Sequence, residues 1–217
     1  MANTDELVYW THEQKCLKAV ESLGGNGFAT RYCATPQEAT DYIISQAADA
    51  ETVGFGGSMS IVGMGVETCL RGLGKQILNH GNPALSGDEK LEIMRSQLTC
   101  DLFLSGCNAL TLSGELVNID GVGNRAASML FGPRKVIVVA GRNKLVDGTV
   151  EDAVMRIKHM SAPPNARRLN MNTPCARTGF CSNCNSPDRI CRATTIIDRK
   201  PRLTDLHVLV VNANLGF

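Results

Sequence analysis

The sequence lacks three features that would tie it to a particular cellular surface. No apolar stretch approaches the ~20 residues that a membrane helix needs. The first residues have neither the basic start nor the apolar run of a signal peptide. Neither positive nor negative side chains are in large excess, since 22 basic and 21 acidic side chains give a net charge of +1. We therefore expect a cytoplasmic protein that binds neither nucleic acid nor membranes and whose partner is a small ligand or another protein.

Cysteine, in contrast, is plentiful, and its distribution is uneven. The chain has nine cysteines, an odd number that in a reducing compartment indicates thiols or metal ligands in preference to disulfides. Five of them are scattered among apolar or element-ending positions, and we expect these to be ordinary buried thiols. The other four lie between residues 175 and 191: Cys175, Cys181, Cys184 and Cys191.

These four clustered cysteines predict a metal site. Their spacing, Cys-x5-Cys-x2-Cys-x6-Cys, supplies four thiolates, which suits either a tetrahedral zinc ion or a four-cysteine iron–sulfur cluster. Nearby prolines and Gly179 favour a loop that can fold around a metal, and neighbouring arginines would offset the negative charge. The spacing matches neither common zinc ribbons nor bacterial ferredoxins, so it leaves the metal open. Free thiols, or disulfides formed in air, are the alternatives.

Apolar segments of two kinds alternate along the chain and predict an α/β fold. Helical periodicity is found at residues 5–23, 36–48, 61–70, 88–98, 126–130 and 149–160. Buried-strand patterns are found at residues 28–34, 52–55, 76–79, 102–105, 135–140 and 206–211. This alternation predicts a largely parallel sheet covered by helices. Pro163 and Pro164 predict a boundary after the last of these helices.

Two departures interrupt the alternation. Residues 109–112 and 116–119 are apolar and lie on either side of a short polar turn, which predicts an antiparallel hairpin. The cysteine-rich loop, residues 173–192, is too polar and turn-rich to fold alone, and it comes before the last strand. The sequence therefore predicts a single domain over residues 1–217, with a mostly parallel sheet, an antiparallel excursion and an inserted cysteine-rich loop.

A glycine-rich turn joins the second predicted strand to the next helix and predicts an anion site. Glycines there let a ligand approach the backbone, whose N–H groups can point at a phosphate or carboxylate at the start of the helix. The turn has no P-loop lysine and no Gly-x-Gly-x-x-Gly pattern, so nucleotide binding is not supported. The alternative is that the glycines only permit a tight turn. The candidate ligand-binding residues are Gly54, Gly56, Gly57, Ser58 and Ser60.

A block of polar residues between positions 105 and 125 lies at the ends of predicted strands, where ligands of open α/β sheets bind. Glu115 and Asp120 could act as acid or base, and Arg125 could clamp an anion. Each residue of the block could instead serve ordinary turns and caps. The further candidate ligand-binding residues are Asn108, Asn118, Gly121, Gly123 and Asn124.

Three segments of the chain, residues 105–111, 114–125 and 131–144, resemble the LUD-domain (lactate-utilisation, formerly DUF162) family. The resemblance covers nearly the whole chain. It implies a Rossmann-like, three-layer α/β fold related to ribose-5-phosphate isomerase, glucosamine-6-phosphate deaminase and the CoA transferases. Members of that group bind phosphorylated sugars or CoA thioesters near a comparable glycine-rich turn. Some members of the LUD family act with iron–sulfur proteins that oxidise lactate to pyruvate.

The resemblance favours some of the alternatives for ligand, partner and metal, but it does not identify a reaction. It implies a small anionic ligand, iron–sulfur oxidoreductases as partners, and a [4Fe–4S] cluster ahead of structural zinc at the four cysteines. The catalytic residues of the related enzymes do not carry over, because the surroundings of Glu115 and Asp120 match neither an isomerase nor a CoA-transferase signature. Glu115, Asp120 and Lys144 remain the catalytic candidates.

Three functions follow from these observations. The first is an accessory or electron-transfer component of lactate (2-hydroxy acid) utilisation with an anion pocket. The second is a stand-alone isomerase, hydrolase or transferase that acts on a phosphorylated or CoA-linked substrate. The third is a ligand-binding protein whose zinc is structural. Homo-oligomerisation is compatible with the sequence, which does not identify the substrate.

Overall fold

A computed structural model describes residues 3–217 of the chain, and the strands within them form two sheets. The strands are β1 (Ala29–Cys33), β2 (Thr52–Phe55), β3 (Gln76–Leu78), β4 (Leu102–Gly106), β5 (Ala109–Thr111), β6 (Leu116–Asp120), β7 (Lys135–Gly141), β8 (Leu145–Val146), β9 (Ala193–Ile197) and β10 (Asp205–Val211).

The helices alternate with these strands along most of the chain. They are α1 (Thr4–Gly25), α2 (Pro36–Gln46), α3 (Met59–Gly63), α4 (Val66–Gly72), α5 (Gly87–Ser96), α6 (Asn124–Leu130), α7 (Val150–Arg156), α8 (Ala162–Arg168) and α9 (Pro174–Thr178). Two 3₁₀ turns, Gln97–Thr99 and Arg142–Lys144, and a π-helical turn, Ile157–Ser161, complete the set. None of the helices in the described residues combines the length and the apolar character needed to cross a bilayer.

The central sheet contains six parallel strands in the order β1–β10–β7–β4–β2–β3. The middle strands β4, β7 and β10 are almost continuously apolar because both faces of the sheet are covered. On one face α1 packs against the sheet through residues such as Cys16 and Leu23. On the other face α2, α3 and α4 bury residues such as Ile43 and Leu70. The carboxyl ends of β2, β4 and β7 therefore open at one edge, next to one another.

The predicted hairpin is confirmed, but it does not extend the central sheet. β5 and β6 pair antiparallel, and together with β8 and β9 they form a second sheet in the order β8–β5–β6–β9. This sheet shares the apolar layer under α1, through Leu110, Leu116 and Ile197, and packs its other face against α7. The sequence did not predict β9, because Ala193–Ile197 is rich in threonine and mostly exposed.

Two predicted boundaries differ from the structure. The single helix predicted over residues 61–70 is divided into α3 and α4 by Gly65, whose φ of +67° is unfavourable for other residues. The boundary predicted at Pro163 and Pro164 is wrong, since α7, the π turn and α8 run on without an intervening loop. Prolines are tolerated there because the first residues of α8 follow the wider π turn and need no N–H donor of their own.

Candidate functional site

A cleft of about 580 Å³ lies at the carboxyl ends of β2, β4 and β7. The loops that follow these strands supply its floor, and the loop after β6 supplies one wall. Residues of α5, α8 and the cysteine-rich loop close the sides. This is the edge at which open parallel sheets bind their ligands, because several chain ends converge there while the strands hold them rigidly.

The glycine-rich turn reaches the cleft through Gly56, Gly57 and Ser58. A Cβ atom on Gly56 would lie 2.8 Å from Ser105 Oγ, and Gly57 has a φ of +70°, so both positions require glycine. The helix that follows, α3, has only five residues, and no side chain caps its N-terminus. Its dipole is correspondingly small, so positive side chains must supply most of the attraction for an anion.

Those positive side chains are present. Lys90, Arg125, Lys144 and Arg168 line the cleft, whereas Asp120 is the one acidic residue that lines it within residues 3–217. Asp120 pairs with Arg125, so the lining carries a net positive charge. A cleft of this kind attracts carboxylate or phosphate groups.

Lys144 is the most deeply buried of these cations. It follows β7, is only 5 % exposed, and its Nζ donates hydrogen bonds to Ser60 Oγ at 2.8 Å and to the Cys107 carbonyl oxygen at 3.1 Å. Burial lowers the pKa of Lys144 to about 8, an effect that a neighbouring Cys107 opposes and Arg156 and Arg125 reinforce. An amine with this pKa exchanges protons readily near neutral pH.

Asp120 and Arg125 form a buried ion pair at the end of β6. Arg125 donates from Nε and Nη2 to Asp120 Oδ1, and its Nη2 also donates to Asn108 Oδ1 at 2.7 Å. The other carboxylate oxygen of Asp120 accepts the backbone N–H of Ala126 at the start of α6. Both oxygens of Asp120 are therefore engaged in holding Arg125 and α6 in place.

His80 is a cleft residue that the sequence alone did not indicate, since an isolated histidine after a short strand carries no motif. Gln97 is fully buried, and its Nε2 donates to the Phe55 and Leu78 carbonyl oxygens and lies 3.0 Å from His80 Nδ1. An amide nitrogen cannot accept a hydrogen bond, so a proton on Nδ1 would have no acceptor there, and we assign the proton of His80 to Nε2. That atom faces the turn, where a Cβ on Gly57 would lie 3.7 Å from it.

Several predicted residues lie outside the lining of the cleft. Glu115 sits in the hairpin turn, where its carboxylate accepts hydrogen bonds from Thr111 and Ser113. Burial raises the pKa of Glu115, but these hydrogen bonds outweigh it and leave that pKa lowered overall. The other predicted residues that do not line the cleft are Gly54, Ser60, Asn118 and Gly123.

Three of these residues support the cleft from behind. Ser60 is buried and holds Lys144, and Asn118 Oδ1 accepts the backbone N–H of Asn108. A Cβ on Gly54 would lie 3.0 Å from both Cys100 Sγ and the Phe103 ring, so its glycine is required by core packing. The predicted residues that do line the cleft are Gly56, Gly57, Ser58, Asn108, Asp120, Gly121, Asn124, Arg125 and Lys144.

The four clustered cysteines line one small cavity in the loop after α8. Arg189 donates to the carbonyl oxygens of Cys184 and Cys191 at 2.7 and 2.6 Å and so braces the two ends of this loop. Burial raises the pKa of the Cys191 thiol, and the nearby thiols of the other three cysteines add to the effect while Arg189 opposes it. In residues 3–217, no three Cys, His, Asp or Glu side chains form a group that could hold a metal ion.

The cysteine cavity and the cleft share a wall. Ile190 and Cys191 line both of them. The contact is close, because a Cβ on Gly121 would lie 3.3 Å from the Ile190 carbonyl oxygen, and the Arg192 N–H donates to the Asp120 carbonyl oxygen at 2.9 Å. The cysteine-rich loop is thus fixed against the residues that follow β6.

Comparison with known proteins agrees with this architecture. The LUD domain profile matches residues 16–211. A DUF162 family protein from Deinococcus radiodurans is similar in structure, with 17 % identity and a TM-score of 0.53 over 92 % of this chain and 98 % of that one. Ribose 5-phosphate isomerase from Plasmodium falciparum is less similar, with 12 % identity and a TM-score of 0.31 over 59 % of this chain and 66 % of that one. No curated protein matches the chain. The predicted α/β fold class is confirmed.

Proposed function

Since the chain belongs to the LUD-domain family, we propose that it serves lactate (2-hydroxy acid) utilisation as an accessory or electron-transfer component that binds a small anion in the cleft. The family relates the chain to lactate utilisation. The role as an accessory or electron-transfer component that binds an anion is inferred from the cleft, the four cysteines and the wall that the two sites share.

The positive charge of the cleft supports the proposal that it binds an anion. Lys90 and Arg168 make no ion pair within residues 3–217, so their charges are available to a ligand at the rim. Gly56 and Gly57 line the cleft, and glycine lets a carboxylate or phosphate come close to the backbone. A volume of about 580 Å³ admits a small metabolite with room for solvent.

The four cysteines supply the thiolates that either an iron–sulfur cluster or a tetrahedral zinc ion needs. All four line one cavity, although within residues 3–217 their side chains do not form a ready metal-binding group. The association of LUD-family members with iron–sulfur proteins favours the cluster over zinc. Cys175, Cys181, Cys184 and Cys191 would hold the cluster, which when bound supplies one-electron transfer.

The observation that carries the proposal is that Cys191 lines both the cysteine cavity and the anion cleft. A redox group held by Cys191 would stand next to the bound anion. The cations of the cleft would bind the anion, and the cysteine-rich loop would shield one side of the anion from solvent.

Anaerobic purification followed by iron, sulfide and zinc analysis tests the cluster. We expect iron and sulfide in near-equal amounts and a visible absorption band that bleaches on reduction. A Cys184→Ser variant should lose both. Cys69→Ser should keep them, since Cys69 lies outside the loop and is exposed, in contrast to the buried thiol that the sequence predicted. Zinc without sulfide would instead support the structural-zinc alternative, and protein free of any metal would refute a metal site.

Calorimetric titration with lactate, pyruvate and inorganic phosphate tests the anion. Lys90 and Arg95 lie on the same helix, α5, but Lys90 lines the cleft and Arg95 pairs with Glu92 outside it. We expect Lys90→Gln to weaken binding by about 5-fold and Arg95→Gln to leave it unchanged, because a lost charge at contact distance costs about 1 kcal/mol in water. Equal effects from both variants, or no binding at all, would contradict an anion cleft.

A further inference from the structure

We propose that Lys144 is a carbonyl-reactive amine that forms an imine with a small 2-oxo acid bound in the cleft. The inference rests on the proposed anion-binding function and adds to it a covalent step and a substrate class. It is carried by the burial of Lys144, by its contacts and by the absence of an acidic partner.

Lys144 is buried in an unusual way for a structural lysine. Buried lysines are rare and normally pair with a carboxylate. Here Nζ has only neutral oxygen partners, Ser60 Oγ at 2.8 Å and the Cys107 carbonyl oxygen at 3.1 Å, and within residues 3–217 it makes no ion pair. Two of the three positions on the nitrogen are thereby fixed, which leaves the third for the cleft that Lys144 lines.

The surroundings favour a neutral amine. Arg125 and Arg156 lie near enough for their positive charges to disfavour a third cation, and burial acts in the same direction. With a pKa near 8 in place of 10.5, about half of the side chains are neutral at pH 8, which is roughly 100-fold or more above an ordinary lysine. Only the neutral form has the lone pair that attacks a carbonyl carbon.

The ligand class follows from the groups that line the cleft together with the amine. Lys90, Arg168 and the backbone of the glycine turn suit a carboxylate, while the amine of Lys144 suits a ketone. A 2-oxo acid carries both groups on adjacent carbon atoms. A 2-hydroxy acid has the carboxylate but no carbonyl carbon, so it should bind without reacting.

The covalent step balances without an oxidant or reductant. The lone pair of Nζ attacks the carbonyl carbon, a C–N bond forms, and the carbonyl oxygen takes a proton to give a carbinolamine. Nitrogen gives up one of its two protons as the carbinolamine forms. The hydroxyl then takes a second proton and leaves as water, while the nitrogen lone pair forms the C=N bond and nitrogen gives up its other proton, so two protons pass from nitrogen to oxygen in all. His80 and Ser58 line the same cleft and can carry these protons.

Trapping with pyruvate and sodium cyanoborohydride tests the proposal on the intact chain. Intact mass spectrometry should show one reduced pyruvate adduct, and peptide mapping should place it on Lys144. The yield should fall at least 10-fold in Lys144→Arg, which keeps the charge and cannot form the imine. Lys18→Met, at an exposed lysine on α1, should give the wild-type yield, and lactate in place of pyruvate should give no adduct.

The trapping rate should rise with pH and reach half of its maximum near pH 8, where Lys144 loses its proton. Because the adduct is mapped in the wild-type protein, the result does not depend on the folding of any variant. An adduct spread over exposed lysines would overturn the proposal. Pyruvate that binds in a calorimeter without forming an adduct would also overturn it while leaving the anion-binding function intact.

Discussion

Asp120 has a side chain that could act as an acid or base, but its contacts give it a structural role. It is 7 % exposed, and its carboxylate faces Arg125 and the N–H of Ala126. Removing one partner of a buried pair leaves an uncompensated charge, which costs more than the pair itself contributes. Asp120 is therefore better suited to keeping Arg125 in place beneath the cleft than to moving a proton.

We predict that Asp120→Ala lowers the free energy of unfolding by about 3–5 kcal/mol, because Arg125 would remain buried without its partner and α6 would lose its N-terminal acceptor. Asp147→Ala removes an exposed carboxylate that pairs with Lys15, and it should cost less than about 1 kcal/mol. Urea unfolding measures both. An Asp120→Ala protein as stable as the unchanged one would show that the ion pair does not hold this part of the fold.

His80 couples stability to pH through the same cleft. Burial lowers the pKa of His80, and the positive charge of Lys90 lowers it further. The folded protein therefore binds a proton less readily than the unfolded chain, whose histidine titrates near pH 6.5. Below that pH the unfolded state takes up a proton that the folded state does not, so stability falls as the pH falls.

Replacing the imidazole should remove this contribution. We predict that the stability of His80→Gln falls less between pH 7 and pH 5 than that of the unchanged protein, when both are followed by urea unfolding at a series of pH values. His159→Gln, at an exposed histidine on the π turn, is the matched control and should follow the unchanged protein. Identical pH profiles for all three proteins would show that His80 does not titrate differently on folding.

At the scale of elements, the cysteine-rich loop is the part of the fold whose order depends least on packing. Between α9 and β9 it has no helix or strand, and its cysteines are only half-buried. What holds it is a set of polar contacts, such as the hydrogen bonds of Arg189 to the Cys184 and Cys191 carbonyl oxygens. Because Ile190 and Cys191 also line the cleft, disorder in the loop would open one side of the ligand site.

We predict that Cys184→Ser makes the loop more sensitive to protease and weakens anion binding by 3-fold or more, although Cys184 itself does not line the cleft. Limited proteolysis and calorimetry measure the two effects, and Cys69→Ser should change neither. The cause is that metal binding and the ordering of a loop without its own core share one free energy. Unchanged anion affinity in a metal-free variant would show that the loop keeps its position without metal.

The same elements show what sequence patterns can predict. β7 and β10 were predictable because a buried parallel strand needs a continuous apolar run, and α1 because it repeats apolar residues at helical spacing. β9 was missed because it is rich in threonine and mostly exposed, and its place in the second sheet comes from pairing with β6. The continuity through Pro163 depends on a π turn, which leaves no composition signal.

At the scale of the whole molecule, the sequence predicted only those parts of the candidate site whose residues are close together along the chain. The glycine turn and the residues that follow β6 each stand together in sequence, so their patterns pointed to a ligand. The partnership of Lys144 with Ser60, and that of His80 with Gln97, join separate segments through the topology of the sheet. The same reason explains why the sequence placed two sites in the chain but could not show that they share Cys191.

Because the cleft and the cysteine cavity share a wall, we predict that anion binding and reduction of the proposed cluster depend on each other. A bound carboxylate disfavours an added electron nearby, so it should lower the reduction potential, and reduction should weaken anion binding by the same factor. Two charges roughly 10 Å apart at an effective dielectric constant of about 20 interact by on the order of 1 kcal/mol, equivalent to about 5-fold in affinity and about 40 mV.

A redox titration with and without saturating pyruvate measures this coupling, and we predict a midpoint potential that is tens of millivolts lower when pyruvate is bound. Calorimetry on the oxidised and the dithionite-reduced protein should show the matching loss of affinity in the reduced form, since the two shifts close one thermodynamic cycle. Pyruvamide has the shape of pyruvate without its charge and should leave the potential unchanged. If pyruvate binds while the potential stays fixed, the cleft and the cysteine cavity are electrostatically independent in spite of Cys191.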